Sequence, residues 1–133
     1  MDILIKSAKI IDEGNPLSGT VKDILISNGK IGKIDDSIAS KNAKLIERKD
    51  LHVSIGWCDL RSNFQDPGFE YKEDLESGSA AAAAGGFTAV ALSPATSPVA
   101  DSKSGIEYIR NNTIGKLVEV LPMGAISKNM EGR

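Results

Sequence analysis

The residues whose types and spacing could most directly support chemistry lie in one short run, Asp59 to Gly68. Positions 61 and 63 lie at the end of the predicted strand 55–60, and residues two apart in an extended chain point to the same side, so both side chains could reach one ligand. Arg61 and Asn63 occupy these positions. A guanidinium has no acceptor and stays protonated, and a single asparagine oxygen is a poor zinc ligand. The run therefore has the spacing of a metal-binding strand without its ligands.

The same run resembles the Asp-x-His-x-His-x-Arg-x-Pro-Gly signature of the dihydroorotases, zinc hydrolases of the amidohydrolase superfamily. The two histidines of the signature, which are metal ligands in the family, correspond to Arg61 and Asn63 here. Its substrate-binding arginine corresponds to Gln65. Because Arg61 would place a positive charge where the family holds a dication, the resemblance implies that zinc binding is disfavoured at this strand.

The resemblance continues over nearly the whole chain. Residues 70–88 resemble the first barrel helix and the second barrel strand of the family. The segment 93–98, Ser-Pro-Ala-Thr-Ser-Pro, stands where the family reads Met-Pro-Asn-Thr-x-Pro. The asparagine of that motif contacts the substrate in the family, and Ala95 replaces it here. Motifs that are specific in combination therefore identify the scaffold.

Four functional positions of the family have changed, whereas the scaffold residues around them are kept. They are Arg61 and Asn63 at the metal positions and Gln65 and Ala95 at the substrate positions. This selective loss predicts a pseudoenzyme with no catalytic, substrate-binding or metal-binding residue of the family type, and no cofactor is expected in this chain. The family's other zinc-site residues, a carboxylated lysine, two histidines and a catalytic aspartate, belong to later barrel strands.

Three functions remain open at this stage. The first is a non-catalytic dihydroorotase-like protein of pyrimidine biosynthesis, whose partner, by analogy with inactive family members, would be aspartate carbamoyltransferase or a second copy. The second is an active cyclic amidohydrolase completed by residues outside this chain. The third is a binding module that keeps a pocket for a small heterocycle, lined by Asp59 and Asp66. Ligands beyond Arg133 would separate the first two.

Other side chains have simpler interpretations. We expect Asp59 to support its own strand by hydrogen bonding rather than to act as a base. Arg61 could instead occupy the vacated metal position and neutralise nearby carboxylates, since an unpaired buried charge is costly. His52, the single histidine, is interpreted as a linker residue, because no ligand partner stands at a suitable spacing. Cys58 is interpreted as a small buried hydrophobe.

Composition restricts the class of protein. The 133 residues carry 16 basic and 18 acidic side chains, without a basic stripe, so nucleic-acid binding is not expected. No apolar run approaches the roughly 18 residues that span a bilayer. A single cysteine excludes an internal disulfide, and no secretory signal is evident. We therefore expect a cytoplasmic protein that binds neither nucleic acid nor membrane.

Residues 1–53 read as short strands joined by turns. Strands are predicted at 2–6, 9–12, 21–26, 30–34 and 44–48, and Asn28-Gly29 marks a hairpin because type I′ turns require positive φ. A small β-sandwich, the N-terminal part of the accessory domain in amidohydrolases, is the predicted first domain.

Residues 54–133 alternate between strand and helix, which indicates parallel βαβ units and an α/β fold. Strands are predicted at 55–60, 87–92 and 116–121, and helices at 72–84 and 102–112. Ile106 and Ile109, together with Tyr108, are predicted to face inward, and Asp66-Pro67-Gly68 is predicted to be a turn that directs the first barrel loop over the site. These are three strands and two helices of a TIM (β/α)₈ barrel, which needs about 250 residues. We therefore expect the chain to be a fragment of a longer protein.

Overall fold

The structure is a computed structural model that describes residues 1–132; Arg133, the last residue of the predicted second domain, lies outside the described residues. The chain divides into one compact unit, Met1–Ile55, and a second that begins at Gly56. The predicted domain boundary, between residues 53 and 54, falls inside a strand of the first unit. Within the described residues, no helix is both long and apolar enough to cross a membrane.

The first unit is one five-stranded mixed sheet. Its strands are β1 (Ile3–Ile11), β2 (Val21–Ser27), β3 (Lys30–Asp35), β4 (Lys44–Glu47) and β5 (His52–Ser54). β2 and β3 form the predicted hairpin, with Asn28 and Gly29 both at positive φ. β1 and β2 are antiparallel, whereas β4 and β5 run parallel to β1.

The described strands of the first unit all belong to a single sheet. The two segments predicted at the start of the chain are one strand, β1, which continues through an irregularity between Ile5 and Ala8. β4 pairs with the first half of β1 and β5 with the second half. The two short strands thus share one edge of β1, and β5 was not predicted as a strand.

A buried carboxylate fixes the irregularity in β1. Asp23 is only 2% exposed, and it accepts hydrogen bonds from the Ser7 N–H at 2.9 Å and the Ile38 N–H at 2.8 Å. The half-buried Lys6 ammonium completes the set as an ion pair. Ser7 has a φ of 50°, a conformation that a non-glycine residue keeps only where its surroundings impose it. Asp23 therefore connects β1, β2 and the segment after β3.

The second unit is a three-stranded parallel sheet with two helices. Its elements are β6 (Trp57–Ser62), α1 (Leu75–Ala84), β7 (Phe87–Leu92), α2 (Lys103–Asn112) and β8 (Glu119–Pro122), followed by a 3₁₀ turn at Lys128–Met130. The strand order is β6-β7-β8, as expected for consecutive βαβ units. The predicted α/β class and the start of a barrel are confirmed.

Side chains from the two helices, the strands and the adjoining loops of the second unit form one apolar core. Its buried members are Phe64, Leu75, Val90, Leu92, Ile109, Val118 and Val120. Ile109 is fully buried, as predicted, and Ile106 is half-buried. Each helix begins at a side-chain cap, Asp74 for α1 and Ser102 for α2, which satisfies otherwise free backbone N–H groups.

Three elements begin later in the structure than the sequence predicted. α1 begins at Leu75 rather than at residue 72, because the Asp74 carboxylate accepts from the Ser77 N–H at 2.7 Å and caps the helix there. The strand predicted at 55–60 begins at Trp57, whose N–H donates to the Gly86 carbonyl. The third strand begins at Glu119, because the preceding residues form a turn.

Candidate functional site at the carboxyl edge of the second sheet

The carboxyl ends of β6, β7 and β8 meet at one edge of the sheet, where α/β proteins place their binding sites. The Ser93 N–H donates to the Ser62 carbonyl and the Met123 N–H to the Leu92 carbonyl, both at 2.9 Å. These bonds align the starts of three loops, which we call L1 (63–74), L2 (93–102) and L3 (123–127). The three loops define the candidate site.

All four substituted family positions lie at this edge. Arg61 is the penultimate residue of β6, and Asn63 is the first residue of L1; both are exposed, whereas Ser62 between them is half-buried. Arg61 and Asn63 therefore share one side of the chain, as alternation requires. Gln65 follows on L1, half-buried, and Ala95 is exposed on L2.

The donor set at this edge does not fit a zinc ion. A catalytic zinc site takes three protein ligands from His, Cys, Asp or Glu. No group of three such side chains within residues 1–132 is arranged to hold a metal ion. The two positions on the ligand-facing side offer a guanidinium and one amide instead.

Asp59 is engaged by its own strand. One carboxylate oxygen accepts from the Ser62 hydroxyl at 2.6 Å and the other from the Arg61 N–H at 2.9 Å. These two hydrogen bonds, the one from Ser62 above all, hold the pKa of Asp59 below its ordinary value. The Arg61 guanidinium forms no ion pair with a carboxylate of residues 1–132, so its predicted neutralising role would need a carboxylate from elsewhere.

L1 is held in place by hydrogen bonds at two consecutive residues, Asp66 and Pro67. Asp66 is 8% exposed; its carboxylate accepts from the Tyr108 hydroxyl of α2 at 2.9 Å and from the Leu75 N–H of α1 at 3.2 Å. On the other side, the Ser97 N–H of L2 donates to the Pro67 carbonyl at 2.9 Å. The conformation of L1 is thus fixed by hydrogen bonds from both helices and from L2.

Gly68 is the point of closest approach between L1 and L2. It has a φ of 99°, and a Cβ atom there would stand 2.2 Å from the Ser97 carbonyl oxygen. Since that oxygen belongs to the backbone, no side-chain rotation can relieve the contact.

We expect Gly68→Ala to separate L1 from L2. The strained φ and the backbone contact together should destabilise the second unit by about 2–4 kcal/mol. Urea unfolding followed by far-UV circular dichroism measures the loss. Gly86→Ala is the matched control, because Gly86 also has positive φ but nothing within 4 Å of the added Cβ. Equal losses in the two variants would contradict the proposed contact.

Two residues considered in the sequence analysis need separate comment: His52 lies away from the candidate site, and Cys58 differs in burial from the prediction. His52 is the first residue of β5 in the first unit, where its Nδ1 lies 2.8 Å from the Asp50 carbonyl oxygen. The interpretation of Cys58 as buried was wrong: its side chain is exposed in the described chain. Within the described residues, β6 is an edge strand of its sheet, and side chains on an edge strand are less enclosed than those on a central strand.

Sequence reasoning missed the connection between Asp66 and Tyr108, which lie 42 residues apart in the chain. The signal was present in part, since Asp66-Pro67-Gly68 was recognised as a turn that shapes the first loop. Tyr108 was considered only as an inward-facing residue of α2. It is 41% exposed, and only its hydroxyl is directed to the loop.

The fold and the edge together define the class of protein, the amidohydrolase-type TIM barrels. Two solved structures align with almost the whole chain. An L-hydantoinase from Arthrobacter aurescens covers 97% of it with a TM-score of 0.77 at 20% identity, and a D-hydantoinase covers 97% with a TM-score of 0.74 at 28% identity. The first of these supports the fold alone.

Sequence comparison then gives the family. The family model described as dihydro-orotase-like matches residues 52–132. A dihydroorotase of Aquifex aeolicus is 41% identical over 100% of the chain, and one of Elusimicrobium minutum is 42% identical over 100%. The chain belongs to the dihydroorotase-like family. It spans about a third of the length of these relatives, 32% and 31% respectively.

Proposed function

We propose that this chain is the N-terminal part of a dihydroorotase-like protein of pyrimidine biosynthesis that does not hydrolyse the ring amide. One observation carries the proposal: Arg61 near the end of β6 and Asn63 at the start of L1 occupy the family's two ligand positions at the carboxyl edge. Because a guanidinium cannot coordinate zinc and repels a cation, a metal-activated hydroxide has no support from this strand.

The substrate side of the edge supports the same proposal. Gln65 stands where the family's cationic arginine would meet a substrate carboxylate, and a neutral amide cannot form the bidentate ion pair that a guanidinium forms. Ala95 has no side-chain hydrogen-bonding group at all. Metal and substrate contacts are therefore lost at the same edge, as expected when turnover is no longer required.

A structural role is the function that we propose for this scaffold. The scaffold around the substituted positions is intact: L1 and L2 are hydrogen-bonded to each other, and both helices are capped. We propose that the fold serves as a binding partner for another enzyme of the pathway, with aspartate carbamoyltransferase as the first candidate and self-association as the second. The alternative, an active hydrolase completed by residues beyond this chain, has no structural observation in its favour.

Zinc content and hydrolysis test the proposal together. The product of the full natural reading frame, purified without chelator, should contain less than about a tenth of an equivalent of zinc, since the family's two ligand positions on this strand hold a residue that cannot coordinate zinc, Arg61, and a poor ligand, Asn63. No dihydroorotate hydrolysis above background is expected. One or two equivalents of zinc together with turnover would refute the proposal.

A double variant provides the matched control. Arg61→His with Asn63→His restores two imidazoles on one side of the strand and should increase zinc binding, because neutral imidazole nitrogen is a preferred ligand. Zinc uptake is measured by equilibrium dialysis. Gln65→Arg, which changes the substrate position only, should leave zinc binding unchanged. A double variant that takes up no more zinc than the natural chain would show that the geometry of this strand, and not only its residue types, is unsuitable.

A further inference from the structure

Position 65 has an unusual backbone. Gln65 has a φ of 61°, in the left-handed region that a non-glycine residue seldom adopts. Such conformations persist where the surrounding structure imposes them. Gln65 is also the residue at the family's substrate position, so whatever imposes its backbone conformation also sets where its side chain stands in the site.

Two buried neighbours enclose position 65. Phe64 is 7% exposed and packs directly over Gly78 of α1, where an added Cβ would stand 2.5 Å from its ring. Asp66 is held by the Tyr108 hydroxyl and by the Leu75 N–H. Phe64 is fixed by packing, whereas Asp66 is fixed by hydrogen bonds to two helices.

We propose that Tyr108 and Asp66 form a positioning pair that holds residue 65 in its left-handed conformation and so keeps the substrate-position side chain in place. Tyr108 acts through Asp66, to which its hydroxyl donates. The inference rests on the proposed function only in treating position 65 as part of the site.

The charges around the phenol agree with this geometry. Asp66 and, at greater distance, Glu70 are the carboxylates that act on Tyr108. The hydrogen bond to Asp66 is the main reason that the pKa of Tyr108 lies above its ordinary value of 10.0, with burial adding to it. The phenol therefore remains a hydrogen-bond donor across the neutral pH range.

Amide hydrogen exchange on the 133-residue chain tests the pair. In Tyr108→Phe, amides of residues 63–72 should exchange about tenfold faster, the factor expected when a hydrogen bond to a charged group is lost. Amides of β7 should change by less than about twofold, because local opening does not require global unfolding. Tyr71→Phe is the control, since Tyr71 is 80% exposed. Unchanged exchange in 63–72, or an equal increase in β7, would overturn the proposal.

A second readout separates positioning from packing. Gln65→Gly removes the backbone strain, so its effect on the unfolding equilibrium should depend on whether residue 66 is still held. We compare the factor by which Gln65→Gly raises the folding equilibrium constant in the natural chain and in Tyr108→Phe. This factor should be at least about threefold larger in the natural chain. Equal responses would refute a positioning role. Neither readout involves zinc or turnover, so the outcome is independent of the test of the proposed function.

Discussion

Gly78→Ala is expected to destabilise the second unit by about 2 kcal/mol, although the same change normally favours a helix. Alanine has an intrinsic advantage over glycine of about 1 kcal/mol in a helix interior. At Gly78, however, the new Cβ would lie 2.5 Å from Cγ of Phe64 and 2.6 Å from a second ring carbon. Overpacking of this kind costs about 1–3 kcal/mol and occasionally more. We expect the steric term to dominate because the Phe64 ring is buried in the apolar core.

Urea unfolding followed by far-UV circular dichroism measures this effect. Gly105→Ala in α2 is the matched control, since the closest atom to its added Cβ is the Ala100 Cα at 3.4 Å, and it should be neutral or slightly stabilising. A double-mutant cycle with Phe64→Ala identifies the contact. Phe64→Ala alone should cost about 3–5 kcal/mol, and combining the two changes should cost clearly less than their sum. Additive losses would rule out the contact as the cause.

Asp23→Ala is expected to destabilise the first unit by about 2–4 kcal/mol, the range for removing one partner of a buried charged cluster. The change leaves the Ser7 and Ile38 N–H groups and the Lys6 ammonium without their acceptor. The lower part of the range applies if Lys6, which is half-buried, turns to solvent. Guanidinium unfolding measures the loss.

The control for Asp23 is Asp35→Ala. Asp35 also pairs with a lysine, Lys33, but both side chains are about half exposed. Surface ion pairs contribute little to stability, so this variant should unfold close to the natural protein. If both variants lost the same stability, burial and the backbone hydrogen bonds of Asp23 would not be the source of its contribution.

The same carboxylate should make stability depend on pH. Burial by itself raises the pKa of Asp23, but the hydrogen bonds from Lys6, Ser7 and Ile38 outweigh burial and leave it below the ordinary value of 3.8. The unfolded chain then binds more protons than the folded chain just below that value. The contribution of Asp23 is complete well above pH 3.8 and disappears as the pH falls toward the lowered pKa. Asp23→Asn should unfold with a weaker dependence on pH in that window.

Much of the secondary structure could be predicted from the sequence because local residue patterns determine it. Phe87–Leu92 was predicted at its observed limits, since a β-rich apolar run between glycines and a proline has few alternatives. The Asn28-Gly29 hairpin followed in the same way from its turn chemistry. Helix starts were less certain because an acidic run such as Glu73-Asp74 can lie before the cap or after it, and only the hydrogen bond to Ser77 decides.

Features that depend on distant residues could not be read from the sequence. β5 is three residues long, and it exists because β1 offers it an edge next to β4. The sequence resemblance placed Arg61, Asn63, Gln65 and Ala95 at one site, and the strand order brings them to one edge. The anchoring of L1 by Tyr108 depends on how α2 lies on the sheet, which no local pattern encodes. The substituted residue types were visible from sequence, whereas the restraint on position 65 was not.

Trp57 and Phe87 form an edge-to-face contact, with ring centroids 6.0 Å apart and an interplanar angle of 85°. Both rings lie in the second unit, and the aromatic residues are unevenly distributed along the chain. Every aromatic residue of the chain lies beyond residue 56: Trp57, Phe64, Phe69, Tyr71, Phe87 and Tyr108. Tryptophan fluorescence and near-UV circular dichroism thus report on the second unit alone. In Asp23→Ala, part of the far-UV circular dichroism signal of the backbone could be lost at a lower denaturant concentration than the tryptophan fluorescence signal. That result would mean that the two units unfold separately. A simultaneous loss would make the chain a single cooperative unit.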